Sequence, residues 1–210
     1  MKVLAFNGSP RANSNTAQAL EVVAGPLREQ GIDVEIIPIG NKAFRGCIAC
    51  GQCFKNKDMR CAIDDELNNI LPKAKEADGI ILGSPVHYAG IGGTMKSFLD
   101  RFFYVCSANG SILRHKVGAS VAAVRRSGGV VTYDSLNHFF TISEMIVASG
   151  NYWPAIHGTA PGEAKQDIEG VQALTLMGEN MAWIMKLVEH GKGSIPEPGA
   201  RKKQAMNFIR

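Results

Sequence analysis

With 210 residues, 45% of them hydrophobic and 20% charged, the chain has the length and composition of one globular domain with a substantial core. Its 23 basic and 19 acidic residues give a net charge of +4, and no dense basic run precedes the C-terminus, so charge makes no case for nucleic acid. No apolar stretch reaches the ~18–20 residues needed to span a bilayer, and the N-terminus lacks a signal peptide's layout, so a cytoplasmic chain with no membrane partner and five reduced cysteines is expected.

The apolar run Val3-Leu4-Ala5-Phe6 predicts a buried strand, followed by the turn Gly8-Ser9-Pro10-Arg11-Ala12-Asn13-Ser14-Asn15-Thr16. Thr16, Leu20, Val23 and Leu27 then recur at helical spacing, and Gly25-Pro26 is expected to kink or shorten that helix. A helix N-terminus following a strand offers free N–H groups and a positive dipole end to an anion. An ordinary cap needs one Ser, Thr, Asn or Asp, whereas this turn offers Ser9, Asn13, Ser14, Asn15 and Thr16, with Arg11 adding a fixed charge. No G-x-x-x-x-G-K-[ST] and no G-x-G-x-x-G follows the first strand, which leaves neither a triphosphate loop nor a dinucleotide fingerprint. A single terminal phosphate held by hydroxyls fits better, and flavin mononucleotide (FMN) carries one.

Ile32 to Ile37 begins with the alternation of a half-exposed strand. Phe44 to Cys61 has no clear period and contains Cys47-x2-Cys50-x2-Cys53-x7-Cys61. Thiols so spaced can wrap an iron–sulfur cluster; a zinc site, a redox-active thiol pair and free cysteines in a covering loop are the alternatives. Asp64-Asp65-Glu66 puts acid at a helix start, where the dipole favours it. Leu67, Ile70, Leu71 and Ala74 give that helix an apolar face, which Pro72 should keep short or bent.

Gly79 to Gly83 is a continuous apolar run, as in a strand covered on both faces. A loop from Ser84 to Gly93 follows, containing Pro85, Val86, His87, Tyr88, Ala89, Gly90 and Ile91, and Thr94 opens a helix with the stripe Met95, Phe98, Leu99 and Phe102. Cys106 reads as a buried spectator. Val117 to Val124 is a fourth strand, and Arg125-Arg126-Ser127-Gly128-Gly129 a loop at its end. Leu136, Phe139 and Phe140 mark a helix, Met145 to Ala148 a fifth strand, and Tyr152 to Lys165 a polar loop. The last helix carries Val171, Leu174, Met181, Met185 and Val188, with Gly191 as its C-cap. Five strands alternating with helices imply a parallel α/β sheet covered on both faces, with ligands bound beyond the strands' C-terminal ends. The loops 8–16, 84–93 and 125–129 can converge there.

These loops resemble those of the flavodoxin-like NAD(P)H-dependent FMN reductases, and the cysteine motif that of their iron–sulfur flavoprotein branch; the resemblance runs from Val3 to about Val188. Gly8-Ser9-Pro10-Arg11 with Ser14-Asn15-Thr16 is similar to the FMN-phosphate loop. Gly83-Ser84-Pro85-Val86-His87-Tyr88 with Met95-Lys96-Ser97-Phe98-Leu99-Asp100-Arg101 resembles the isoalloxazine loop and the helix after it. Arg125 to Gly129 is similar to the third flavin-contacting loop. The resemblance implies a five-stranded flavodoxin-like domain over 1–191 with the loop 44–62 inserted, and a tail over 192–210. It further implies FMN, NAD(P)H as co-substrate, and a [4Fe–4S] cluster on Cys47, Cys50, Cys53 and Cys61. Tyr88 and His87 are then expected to stack on and edge the ring, while Arg125 and Arg126 steady the reduced flavin or a nicotinamide phosphate.

The activity expected is NAD(P)H oxidation through FMN, with electrons passing to a quinone, flavin, nitro or azo compound or a redox protein. No nucleophile–base set stands out. The rival is an electron carrier without NAD(P)H turnover, although a pI near 8.8 leans away from the acidic flavodoxins. A homodimer or homotetramer is implied, with Tyr152-Trp153-Pro154 and the basic Arg201-Lys202-Lys203 as segments that could pack on a neighbour.

Overall fold

The computed structural model describes residues 1–201, 204 and 206. Lys202 and Lys203 of the basic tail lie outside the described residues. Strands β1 (Lys2–Asn7), β2 (Asp33–Pro38), β3 (Gly79–His87), β5 (Val117–Val124) and β6 (Ile146–Val147) form a parallel sheet in the order β2-β1-β3-β5-β6. This is the 2-1-3-4-5 arrangement of flavodoxin-like sheets, with its switch point between β1 and β3.

Period-two alternation divides the core. Val3 and Ala5 face the helices α1 (Asn15–Glu29) and α7 (Ile168–Gly191), whereas Leu4 and Phe6 face α5 (Gly93–Ala108) and α6 (Gly129–Ile142). On the second side, Phe98 and Phe102 of α5 meet Phe6 at ring-centroid distances of 4.9 and 5.0 Å, and Phe44 from the cysteine-bearing segment meets Phe98 at 5.2 Å. The segment therefore hangs from the same aromatic cluster that backs β1.

Four local expectations change. First, α1 runs on through Gly25-Pro26 to Glu29, because a proline in the last turn forfeits few helical bonds and its ring is buried. Second, β3 continues past Gly83 to His87 and turns back as β4 (Gly90–Ile91), so the expected loop 84–93 is largely a small hairpin. Third, the fifth strand is broken: β6 pairs with the start of β5, and β7 (Ala155–His157) with its end at Ala122–Val124. Pro154, which lacks an N–H, lies in the intervening loop. Fourth, α7 includes Gly191 and is capped by Lys192, one position later than expected.

Pro72 does divide its helix, into α3 (Leu67–Ile70) and α4 (Lys73–Glu76), and the cysteine-bearing segment has one short helix, α2 (Gln52–Asn56). Among the described residues no helix is long and apolar enough to cross a membrane.

The N-cap of α7 also fastens β7. Asp167 accepts from Gly170 N–H at 2.9 Å, from His157 N–H at 2.7 Å and stands 3.0 Å from His157 Nδ1. Burial alone would raise this carboxyl's pKa, but the two N–H groups and the imidazole outweigh it and hold it below its ordinary value. A lowered carboxyl stabilises the fold above its unfolded-state pKa of about 3.9, and that stability is lost as pH falls through the native value. Asp167→Ala is expected to cost about 0.5–2 kcal/mol at neutral pH. In urea denaturation the gap to the parent chain should narrow in acid, and a constant gap would rule out the carboxylate as its source.

Candidate functional site

At the switch point, the end of β1 and the start of α1 form one wall of a pocket of about 280 Å³. Ser9, Pro10, Arg11, Ser14, Asn15 and Thr16 line it together with Pro85, Val86 and His87 from β3 and Arg125 beyond β5. Gly158, Thr159 and Pro161 close the far side. The volume is at the small end of ligand sites, which run to ~300–1,000 Å³. It suits one end of a cofactor whose remainder extends beyond it.

The phosphate-loop residues are held by their own bonds. Ser14 caps α1 by accepting from Ala17 N–H at 3.1 Å, and Ser9 Oγ accepts from Arg11 N–H at 3.3 Å. Among the described residues the N–H groups of Asn15 and Thr16 take no acceptor, so they remain for a ligand. Two guanidinium side chains, Arg11 and Arg125, belong to the lining and no carboxylate does. The pocket fits an anion.

Close backbone approach sets its shape. A Cβ on Gly40 would lie 2.2 Å from Gly8 O and 2.4 Å from Ser9 C, so the chain leaving β2 can support the loop only as glycine. Gly128, at φ +88°, caps α6, and a Cβ there would lie 2.9 Å from Val86 Cγ1. Val86, packed at Gly128, thus stands between the first pocket and a second of about 260 Å³. Arg126, Ser127, Gly128 and Gly129 line this second pocket with Tyr152, Trp153 and His157. The three expected loops therefore serve two adjoining hollows.

Five expected residues line neither pocket. Asn13 is exposed in the turn, and Tyr88, Ala89, Gly90 and Ile91 belong to the hairpin beyond the first pocket. Tyr88 is fully exposed at φ +59°. Asn15 has a structural duty besides lining, because its Oδ1 accepts from Ala164 N–H at 3.2 Å. That bond brings up the 158–161 segment, which the sequence shows only as a polar loop. Glu163 folds it by accepting from Thr159 N–H at 2.6 Å and Ala160 N–H at 2.9 Å; these bonds, Ala160's first, lower its carboxyl's pKa.

Cys47, Cys50, Cys53 and Cys61 line one small pocket with Ile48, Ala62, Ile63, Arg101, Tyr104 and Val105. Cys47 and Cys50 are exposed, Cys53 buried and Cys61 half-buried, all as free thiols. Burial pushes the Cys53 thiol up. No three His, Cys, Asp or Glu among the described residues are grouped to hold one metal ion. A zinc ion needs its thiolates at about 2.3 Å, whereas a cluster takes them one per iron and spreads them apart. The four thiols of this lining, joined by no imidazole or carboxylate, match one cysteine per iron. Cys106 is buried elsewhere, its thiol pushed up to about 12 by burial, and has no part in the set.

The model of the family described as NADPH-dependent FMN reductase matches residues 1–160. An iron–sulfur flavoprotein of Methanocaldococcus jannaschii is 37% identical over 197 residues, covering 90% of this chain and 100% of its own. Among solved structures, RosB with a bound 8-demethyl-8-formylriboflavin-5'-phosphate superposes with a TM-score of 0.73 at 15% identity, over 100% of this chain and 98% of the other. A flavodoxin from the domain Archaea gives 0.58 at 19% identity, over 89% and 99%.

Proposed function

The chain belongs to the NADPH-dependent FMN reductase family, in its iron–sulfur flavoprotein branch, and on that premise we propose that it is an NAD(P)H oxidoreductase that works through FMN. The electrons pass to a quinone, a flavin, a nitro or azo compound, or a redox protein. The observation that carries this reading is the pocket at the β1–α1 junction, where two arginines and uncommitted N–H groups meet and no carboxylate lines the wall.

Bound FMN would supply the chemistry, taking up a hydride and giving out electrons singly or in pairs. The protein binds and orients. Arg11, Ser9, Ser14, Asn15 and Thr16 hold the phosphate; the α1 N-terminus and the Arg11 guanidinium offset its charge. Pro85, Val86 and His87, with Ser127, Gly128 and Gly129, would hold the ring. The second pocket, with the flat side chains of Tyr152 and Trp153, receives the electron acceptor or the nicotinamide. Cys47, Cys50, Cys53 and Cys61 would hold a [4Fe–4S] cluster, a reading supported by the four thiols lining one pocket.

Steady-state NAD(P)H oxidation with a small quinone tests the activity; no turnover above an FMN-free control would count against it. Trp153→Ala is expected to raise KM for an aromatic acceptor about 3- to 10-fold, the value of one aromatic contact. FMN affinity should not move with it, and a parallel loss would shift Trp153 to the cofactor's site.

A further inference from the structure

Arg101 projects from α5 and its side chain is 0% exposed, making it the largest fully buried side chain among the described residues. A buried guanidinium is costly unless its donors are met. All five are met, and every acceptor lies within residues 45–65, the cysteine-bearing segment and the turn that follows it. Nη1 donates to Asp65 Oδ2 at 2.6 Å and to Arg45 O at 3.2 Å. Nη2 donates to Asp65 Oδ1 at 3.0 Å and to Ile63 O at 3.1 Å. Nε donates to Cys61 Sγ at 3.3 Å. One rigid fork thus grips the segment on both sides of its thiols, before Cys47 and after Cys61.

We propose that Arg101 is the positioning residue of the cysteine segment, holding residues 45–65 so that four thiols face one pocket and donating Nε–H to the sulfur of Cys61. This rests on the reading of the four thiols as cluster ligands. The Asp65 carboxylate balances the guanidinium's charge, so what reaches Cys61 is chiefly one oriented N–H. A donor to a ligating sulfur favours the more negative, reduced state and raises the reduction potential. Asn68 fixes the same cysteine's backbone, accepting from Cys61 N–H at 2.8 Å and donating to Cys61 O at 3.1 Å. That leaves the sulfur's own bond to Arg101.

Arg101→Lys keeps the charge and can still pair with Asp65, but has no fork to reach Cys61, Arg45 and Ile63 together. Hydrogen–deuterium exchange of the full chain should then quicken across 45–65 while β1, β3 and β5 keep their protection. In the anaerobically purified protein, EPR-monitored titration should show reduction disfavoured about tenfold, or about 59 mV lower for one electron. Unchanged exchange would overturn the positioning role, and loosened exchange with an unchanged potential would overturn the bond to sulfur. If Arg101→Lys does not fold, Asp65→Asn, whose amide still accepts one N–H, should loosen the same residues; no local change there overturns the proposal. A parent chain that binds no iron would refute the cluster reading and with it the potential, while the exchange measurement still decides the positioning role.

Discussion

Replacement of Arg11 by alanine is expected to weaken FMN binding roughly 10- to 100-fold, without loss of the fold. A charged hydrogen bond contributes about 1.5–3 kcal/mol, which is that range in affinity. Arg11 is exposed at the pocket rim, and only its backbone N–H is committed to the turn, through Ser9 Oγ. Removing the side chain therefore leaves the Ser14 cap and the α1 N-terminus in place. Flavin-fluorescence titration of the apoprotein measures the change. Unchanged affinity would remove Arg11 from the phosphate site and leave the anion to the backbone N–H groups and the side chains of Ser9, Ser14, Asn15 and Thr16.

Phe98→Ala is expected to cost about 3–5 kcal/mol in stability, as for other buried aromatics truncated to alanine. In a chain of this length that corresponds to a fall in Tm of roughly 6–20 °C. Phe98 is fully buried and touches three rings from three places: Phe6 of β1, Phe102 one turn along α5 and Phe44 at the head of the cysteine segment. The cavity would open where sheet, helix and segment meet, so few neighbours could collapse into it without dragging backbone along. Denaturant unfolding should show the loss at an unchanged m-value. A loss below ~1 kcal/mol would mean that the segment is not tied to the core through this ring.

The sequence shows some of this plainly because the deciding residues are neighbours in the chain. The β1–α1 turn is legible since cap, hydroxyls and arginine fall within one loop. The parallel sheet is legible since Leu82 belongs to an unbroken apolar run, as a strand covered on both faces requires. The 158–161 wall is not, because it is drawn in by an Asn15–Ala164 bond spanning 149 residues. Nor is the division into two pockets, which depends on Val86 meeting a glycine that no local pattern relates to it. Tyr88 invites a stacking role by residue type, but the hairpin turn directs it to solvent. Arg101 is the most instructive case. It sits beside Lys96 and Asp100, an exposed i,i+4 ion pair at 2.6 Å, and in a linear reading passes for one more charge on that face. Helical rotation instead sends it inward, against acceptors 36 to 56 residues away in sequence.

On the function proposed, this chain takes electrons from NAD(P)H onto FMN, rather than carrying electrons delivered by another protein. The most direct measurement is an anaerobic titration of the FMN-loaded chain with NADPH or NADH, followed at the flavin absorbance band. Bleaching that is complete at about one nicotinamide per FMN, and reversed by a quinone, is the predicted result. A flavin that dithionite bleaches but both nicotinamides leave oxidised would contradict the claim and make the chain an electron carrier.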